Sequence, residues 1–383
     1  MAGIDVVEAT QALIRCPSVT PVEGGALELL QSWLEPLGFA CHRLTFSEDG
    51  TEEVDNLYAR LGGSGPNFCY AGHTDVVPVG DPADWRVDPF SAEIVDGVLY
   101  GRGAVDMKGA IAAYLAALSG FLEDRGPDFG GSLSLLITGD EEGIAINGTR
   151  KVLTWLADRG ERLDHCLVGE PTSDRRLGDM VKIGRRGAMN GRLTVHGTQG
   201  HSAYAHLADN PVHRLIRMLN AVTAEPLDDG SEFFPPTSLQ IVSVDVGNPA
   251  TNVIPAQARA VFDCRFNDKH ASADIEDWLR QRFDAEGARY DLDIRVSGES
   301  FLTPPGRLSA LCERAIAEVL DLETELGTTG GTSDARFIKD ACPVAELGLR
   351  NATAHKVDEH VGLEELRKLS EVYRTVLEGY FPS

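Results

Sequence analysis

Apolar runs and helix-period stretches alternate along the first 170 residues. Helical periodicity covers residues 26–37. Short apolar runs of strand length follow at 56–61, 68–72, 132–138 and 165–168, with an alanine-rich helical stretch at 110–122 between them. Alternation of this kind predicts an α/β architecture, a parallel or mixed sheet covered by helices. The last third resumes the pattern, with a helix over 308–320, a strand over 343–348 and a closing amphipathic helix over 363–380.

The middle of the chain has another order. A strand over 192–196 is followed by a helix over 211–222, opened by Asn210 as a candidate cap and Pro211 at its first position. Strands over 238–246 and 256–266, a helix over 273–285 and a strand over 290–296 complete the set. The order β-α-β-β-α-β is that of a ferredoxin-like split unit. It is flanked by Gly/Arg-rich 184–191 and by 298–306, which contains Pro304 and Pro305. The pattern therefore predicts an inserted domain over 184–296, inside an outer domain built from 1–183 and 297–383.

Composition adds limits. Hydrophobic residues make up 43% and charged residues 25% of 383, which excludes collagen, coiled coil and wholesale disorder. Acidic residues number 59 against 35 basic ones, a net charge of −24. Such a chain repels nucleic acid and anionic membranes, so neither is an expected partner, and an anionic substrate must be met by particular Arg or Lys residues. Seven cysteines with no Cys-x-x-Cys pair read as small buried hydrophobes in a reducing compartment. The first residues carry Asp5 and Glu8 and no apolar leader core, and no apolar run approaches the ~18 residues of a membrane span. A cytoplasmic location is expected.

Candidate chemistry gathers just past the apolar runs, where α/β folds build their ligand sites. His73 and Asp75 follow the run ending at Tyr70 and lie on one side of an extended chain, as a metal ligand and its orienting carboxylate do. The loop 101–109 resembles a nucleotide loop only superficially, because Asp106 stands where the third glycine of a dinucleotide fingerprint belongs. Asp106 reads equally as an N-cap of the alanine-rich helix. Asp140, Glu141 and Glu142 follow the run ending at Ile137; they form a solvated loop, or they require a cation if buried together. Glu170 and His355 also follow apolar runs. Two histidines and several carboxylates suit zinc or a similar divalent ion. They are too many for one four-coordinate zinc and are accommodated by two ions sharing a carboxylate. No Gly-x-Ser-x-Gly elbow or His-Glu-x-x-His helix occurs.

The segments GHTDVVP, GRGAVDMKG, TGDEEG, VGEPT, GRRGAMNGRLTVHGTQGHSAY, TNVIP, DCRF, GTTGGTSDARFI and NATAHKVDE run from Gly72 to Glu359. Together they resemble the dinuclear zinc metallopeptidases of the aminoacylase/carboxypeptidase type. GRRG, QGHSAY, GGTSDARFI and NATAHK look like the branch that cleaves N-succinyl-LL-2,6-diaminopimelate in lysine biosynthesis. Ala205 departs from that branch, which is expected to carry proline there, at a position that brings no ligand.

The resemblance implies a zinc-peptidase-like catalytic domain and an inserted lid and dimerisation domain. It implies one zinc on His73 and Glu170, a second on Glu142 and His355, and Asp106 bridging them, with cobalt able to substitute at one site. Asp75 then supports His73, Glu141 is the general base, and His201 comes from the partner of a homodimer. Arg185, Tyr204, Asn252, Arg265, Gly331, Thr332 and Asn351 are the implied substrate contacts. A sister deacylase acting on N-acetylornithine and a non-catalytic binding protein on the same fold are the alternatives.

Overall fold

The computed structural model describes residues 3–382, which divide into two compact units. The first comprises the chain up to Ile183, Thr303–Gly327 and the chain from Ser333 onward. Its frame is an eight-stranded mixed sheet in the order Ala40–Phe46, Val54–Leu61, Ser132–Thr138, Asn67–His73, His165–Val168, Val344–Glu346, Met180–Lys182, Glu325–Gly327. The four strands from Ser132–Thr138 to Val344–Glu346 run parallel, with His73 opposite Thr138, Ala71 opposite Val168 and Val344 opposite Cys166. Asn67–His73 and Ser132–Thr138 are buried along their whole length, which explains why they read as continuous apolar runs.

Helix Leu363–Tyr380 shows how pattern becomes packing. Leu366, Leu369, Val372, Tyr373, Val376, Leu377 and Tyr380 recur at spacings of three and four, and all are buried. They pack against helix Lys108–Arg125, whose alanines at 110, 112, 113 and 117 let it be buried on nearly every side. Tyr70 stacks on Tyr114 with ring centroids 4.0 Å apart, and Tyr373 meets both edge-on. The expected helix over 26–37 divides: Ala26–Leu34 is α-helical, and Pro36 belongs to a 3₁₀ turn Glu35–Leu37 that Gly38 ends in a left-handed conformation.

The second unit spans Gly184–Leu302 and adds Thr328–Thr332. The expected limit at 296 falls inside strand Arg289–Gly298, and Phe301–Leu302 pairs with Gly184–Arg185, so the unit continues past it. Its antiparallel sheet has the order Ser238–Asp245, Gln257–Phe266, Gly187–His196, Arg289–Gly298. This is the order of a ferredoxin-like unit. Ala258, Ala260, Phe262, Cys264 and Phe266 alternate inward and meet Leu215, Met218 and Val222 of helix Pro211–Thr223, and Ile275, Leu279 and Phe283 of helix Ser272–Asp284. Asn210 caps the first helix, its side chain accepting from the Val212 N–H at 3.0 Å. The central strand begins at Gly187, earlier than the apolar pattern shows. Gly187 and Gly191 stand opposite Phe266 and Phe262, and a Cβ on either glycine would lie within 2.2 Å of the facing ring.

Among the described residues no helix is long and apolar enough to cross a membrane. The closing helix gives a stability prediction. Leu369→Ala, at a fully buried position, should cost about 2–5 kcal/mol. Arg367→Ala, on the exposed face, should stay within about 0.5 kcal/mol of the parent. Thermal denaturation of both variants beside the parent checks the difference.

Candidate metal centre

Four neighbouring parallel strands end on the same side of the sheet, and each leads to a candidate site residue. Asn67–His73 ends in His73, with Asp75 two residues on. Ser132–Thr138 leads to Glu141 and Glu142, His165–Val168 to Glu170, and Val344–Glu346 to the 351–355 turn. Asp106 arrives from outside this set, in the turn before helix Lys108–Arg125. It does not cap that helix: the cap position is Met107, and no side chain caps it. The carboxylate is free for another task.

That task is visible in the distances. Asp106 Oδ1 lies 3.2 Å from His73 Nε2, while Asp106 Oδ2 lies 3.1 Å from His355 Nε2. Each Nε2 atom has one further carboxylate: Glu170 Oε1 is 3.6 Å from His73 Nε2, and Glu142 Oε1 is 2.7 Å from His355 Nε2. Two triads result, His73–Asp106–Glu170 and Asp106–Glu142–His355, in each of which the ligand atoms lie within 4.8 Å of one another. They share Asp106 alone. A third grouping, His73–Glu141–Glu142, brings the Glu141 carboxylate to the edge of the same cluster.

Asp75 orders the neighbourhood. Its backbone carbonyl lies 2.9 Å from His73 Nδ1, a contact that fits an N–H donor and leaves Nε2 free to ligate. Its carboxylate accepts from the backbone N–H groups of Glu141 and Glu142 at 3.3 and 3.0 Å. One residue thus orients an imidazole and fixes the backbone beneath two glutamates.

The electrostatics are those of excess acid. Burial opposes charge on His73, yet the surrounding Asp106, Asp75 and Glu170 raise it well above the ordinary imidazole range. Hydrogen bonds to Asp106 and Glu142 lift His355 to about 10. Burial works against the ionised Asp106, but His355 and His73 together hold it below the usual carboxylate range. Burial, then the nearby Glu170 charge, pushes Glu141 well up, as suits a proton acceptor. Imidazoles that must be charged to offset their carboxylates occupy positions a divalent cation fills better. The donor set, imidazole nitrogen and carboxylate oxygen split around one shared carboxylate, fits a pair of zinc-class ions.

The other expected site residues lie in the second unit, except Asn351. His201 and Tyr204 are exposed, with ring centroids 5.7 Å apart. His201 pairs with Val253, next to Asn252, whose carbonyl accepts from the Ser202 N–H at 2.9 Å. Arg185 is buried and donates to the carbonyl of Gly331 at 3.0 Å, beside Thr332. Arg265 is gripped by Asp263 through two contacts of 2.9 and 3.2 Å. Asn351, in the first unit, is exposed, and its N–H donates to Ser173 at 2.9 Å. Sequence reasoning passed over Arg102 and Glu359, although both stand in segments that carried the resemblance.

The profile of peptidase family M20/M25/M40 matches residues 69–379. The chain belongs to that family. A protein of Rhodospirillum centenum named succinyl-diaminopimelate desuccinylase is 58% identical over 377 residues, 98% of this chain and 97% of that protein. One of the same name from Parvibaculum lavamentivorans is also 58% identical, over 98% of this chain and 96% of its own. Among solved structures, an M20 metallo-carboxypeptidase from Sulfolobus solfataricus shares the fold with a TM-score of 0.76 at 16% identity, covering 98% of this chain and 99% of its own. A Bacillus subtilis protein described as a dinuclear metal-binding M20 peptidase gives 0.70 at 16% identity, with 98% of each chain covered.

The shared carboxylate predicts unequal effects on metal uptake. Asp106→Ala should weaken uptake by both triads, whereas Glu142→Ala should weaken one and leave the other. Equilibrium dialysis of metal-stripped protein against zinc, followed by elemental analysis, distinguishes them, and equal losses in the two variants would contradict the shared role.

Proposed function

We propose that this chain hydrolyses N-succinyl-LL-2,6-diaminopimelate to succinate and LL-2,6-diaminopimelate in lysine and diaminopimelate biosynthesis. The observation that carries the hydrolytic reading is the split carboxylate of Asp106, one oxygen on each imidazole. The acyl group is supported by the relatives named for it at 58% identity over nearly the whole chain. His73 and Glu170 would hold one zinc, Glu142 and His355 the other, and Asp106 both; cobalt would serve at one of them. When bound, the ion pair supplies an acidified water and a Lewis acid for the scissile carbonyl. Glu141 takes the proton at its carboxylate, holds it, and delivers it to the leaving amine nitrogen. Asp75 keeps the Glu141 backbone and the His73 ring in place meanwhile. His201 donates to the oxygen on which negative charge develops.

The substrate carries three carboxylates and one free amine. Arg185 and Arg265 are the proposed carboxylate clamps, a task suited to the planar guanidinium. Tyr204, Asn252, Gly331, Thr332 and Asn351 complete the proposed contacts. The second unit acts as lid and as the surface of a homodimer, and the partner delivers His201. Seven free cysteines accord with a cytoplasmic enzyme.

Turnover of succinyl-diaminopimelate and of N-acetylornithine should be measured side by side, on metal-stripped and zinc-restored protein. Only the succinyl substrate should turn over quickly, and only with metal. Preference for acetylornithine would move the chain to the sister activity. In the same assay Glu141→Gln should lose roughly 10²-fold or more of kcat while keeping its zinc; near-parental turnover would remove Glu141 as base.

Delivery of His201 by the partner has its own test. His201→Ala and Glu141→Ala, each nearly inactive alone, are mixed and re-assembled as heterodimers. Delivery in trans puts both defects in one active site and leaves the other intact, so activity returns. Heterodimers that form and stay inactive would reject delivery in trans.

A further inference from the structure

Two chain segments bring ligands that come from outside the parallel strand ends or beyond them: 101–106 carries Asp106, and 351–359 carries His355. The segments are fastened together. Strand His360–Gly362 pairs antiparallel with Val98–Tyr100, with His360 opposite Tyr100. The Gly101 N–H donates to the Glu359 carbonyl at 2.9 Å.

The fastening tightens around one side chain. Glu359 is fully buried. Its Oε2 accepts from the Gly103 N–H at 3.1 Å, and its Oε1 from the Val105 and Asp106 N–H groups at 2.9 and 3.1 Å. Arg102, also buried, donates to Glu359 Oε2 at 2.8 Å. The same Arg102 Nη1 reaches the carbonyl of Lys356, the residue after His355, at 3.1 Å, and Nη2 reaches the carbonyl of Pro78 at 3.3 Å. Its guanidinium sits 5.1 Å from the centre of the Trp85 ring. Burial pushes the Glu359 carboxyl up, and the Val105 amide and Arg102 draw it back.

Three backbone N–H groups and a guanidinium therefore converge on one carboxylate, and one of those groups is the Asp106 backbone itself. Removing the carboxylate leaves buried donors of the 101–106 segment unpaired and cuts its tie to 351–359. We propose that Glu359, held by Arg102, is a positioning residue that fixes Asp106 relative to His355 and so sets the affinity of the Asp106–Glu142–His355 triad for its ion. The inference rests on the metal reading above. Glu359 touches no ligand side chain; it acts through the backbone of one ligand and, with Arg102, through the neighbour of another. The His73–Asp106–Glu170 triad shares only Asp106 with this arrangement and depends on it less.

The test is a cobalt titration of metal-stripped protein, followed by visible absorption, on the parent, Glu359→Gln and Arg102→Lys. Glu359→Gln keeps the volume but replaces an acceptor with a donor that faces an amide. The parent takes up two ions. The variant should lose roughly 10–100-fold in affinity for one of them, the range usual when a group behind a metal ligand is changed, and much less for the other. Excess cobalt should restore both the spectrum and kcat, with KM for substrate unchanged. Arg102→Lys keeps the charge and loses the contacts to Lys356 and Pro78, so it should act in the same direction to a smaller extent; it decides the matter if Glu359→Gln does not fold. Parental affinities for both ions in a folded variant overturn the inference. So does an equal loss at both ions together with a lowered thermal midpoint, which is the signature of general destabilisation. A parent that takes up no ion removes the metal reading and this inference with it.

Discussion

The site depends on a single carboxylate with an imidazole on either side. Asp106 sends one oxygen to His73 and the other to His355, at 3.2 and 3.1 Å. Such an arrangement tolerates little error, because a small rotation that improves one contact spoils the other. The fold supplies the rigidity. Asp106 sits in a tight turn between strand Val98–Tyr100 and helix Lys108–Arg125. The helix is buried on nearly every side because alanine lets it approach its neighbours closely. Gly109 shows how close: a Cβ there would lie 2.3 Å from the Ala104 carbonyl oxygen and 3.0 Å from Leu349. This glycine of the 101–109 loop therefore serves packing behind a ligand, and nothing about it requires a phosphate.

Excess negative charge is the second constraint. Five acidic side chains, Asp75, Asp106, Glu141, Glu142 and Glu170, surround two imidazoles. Burial makes ionisation costly, so Asp75 rises to about 6 and Glu141 rises well above its ordinary range, while His73 and His355 are driven to hold protons. The protons act as the counter-charge that the fold lacks. A divalent ion on either triad takes over that part, so binding an ion must release protons, as deprotonated ligands require. Asp75 is spared direct involvement: its oxygens are engaged by two backbone amides, which makes it a support for the glutamates more than a donor to a cation.

Much of this was legible in the sequence because parallel strands buried on both faces leave continuous apolar runs, and their last residues can be read off. His73, Glu141, Glu142, Glu170 and His355 were found that way. Asp106 was less clear, since a residue before a helix suggests a cap; only the three-dimensional partners show that its carboxylate is used elsewhere. Strand Ala40–Phe46 left no signal because Leu44 alone is buried in it. Met180–Lys182, Glu325–Gly327 and His360–Gly362 are three residues each, too short for periodicity to register. The start of the central strand at Gly187 was hidden for a different reason: its glycines make room for the phenylalanines opposite, and glycine reads as a breaker when the facing strand is unseen. Arg102 and Glu359 escaped because a buried ion pair 257 residues apart in sequence has no local pattern.

The net charge of −24 bears on how an anionic substrate is met. Charges further away than a Debye length, about 8 Å at physiological ionic strength, are largely screened. The overall acidity therefore sets solubility and long-range repulsion, while capture depends on cations within a few ångströms. In the second unit Arg185 and Arg186 are adjacent, and Arg186 is pushed below its ordinary value first by burial and then by Arg265. Asp263 engages Arg265, and the Arg186 Nε has no partner. An acyl chain that lacks a terminal carboxylate, set beside the arginines proposed as clamps, would desolvate cations it cannot satisfy. Under the proposed function, discrimination between a succinyl and an acetyl substrate would fall to Arg185 and Arg265, since the metal ligands would treat both acyl groups alike.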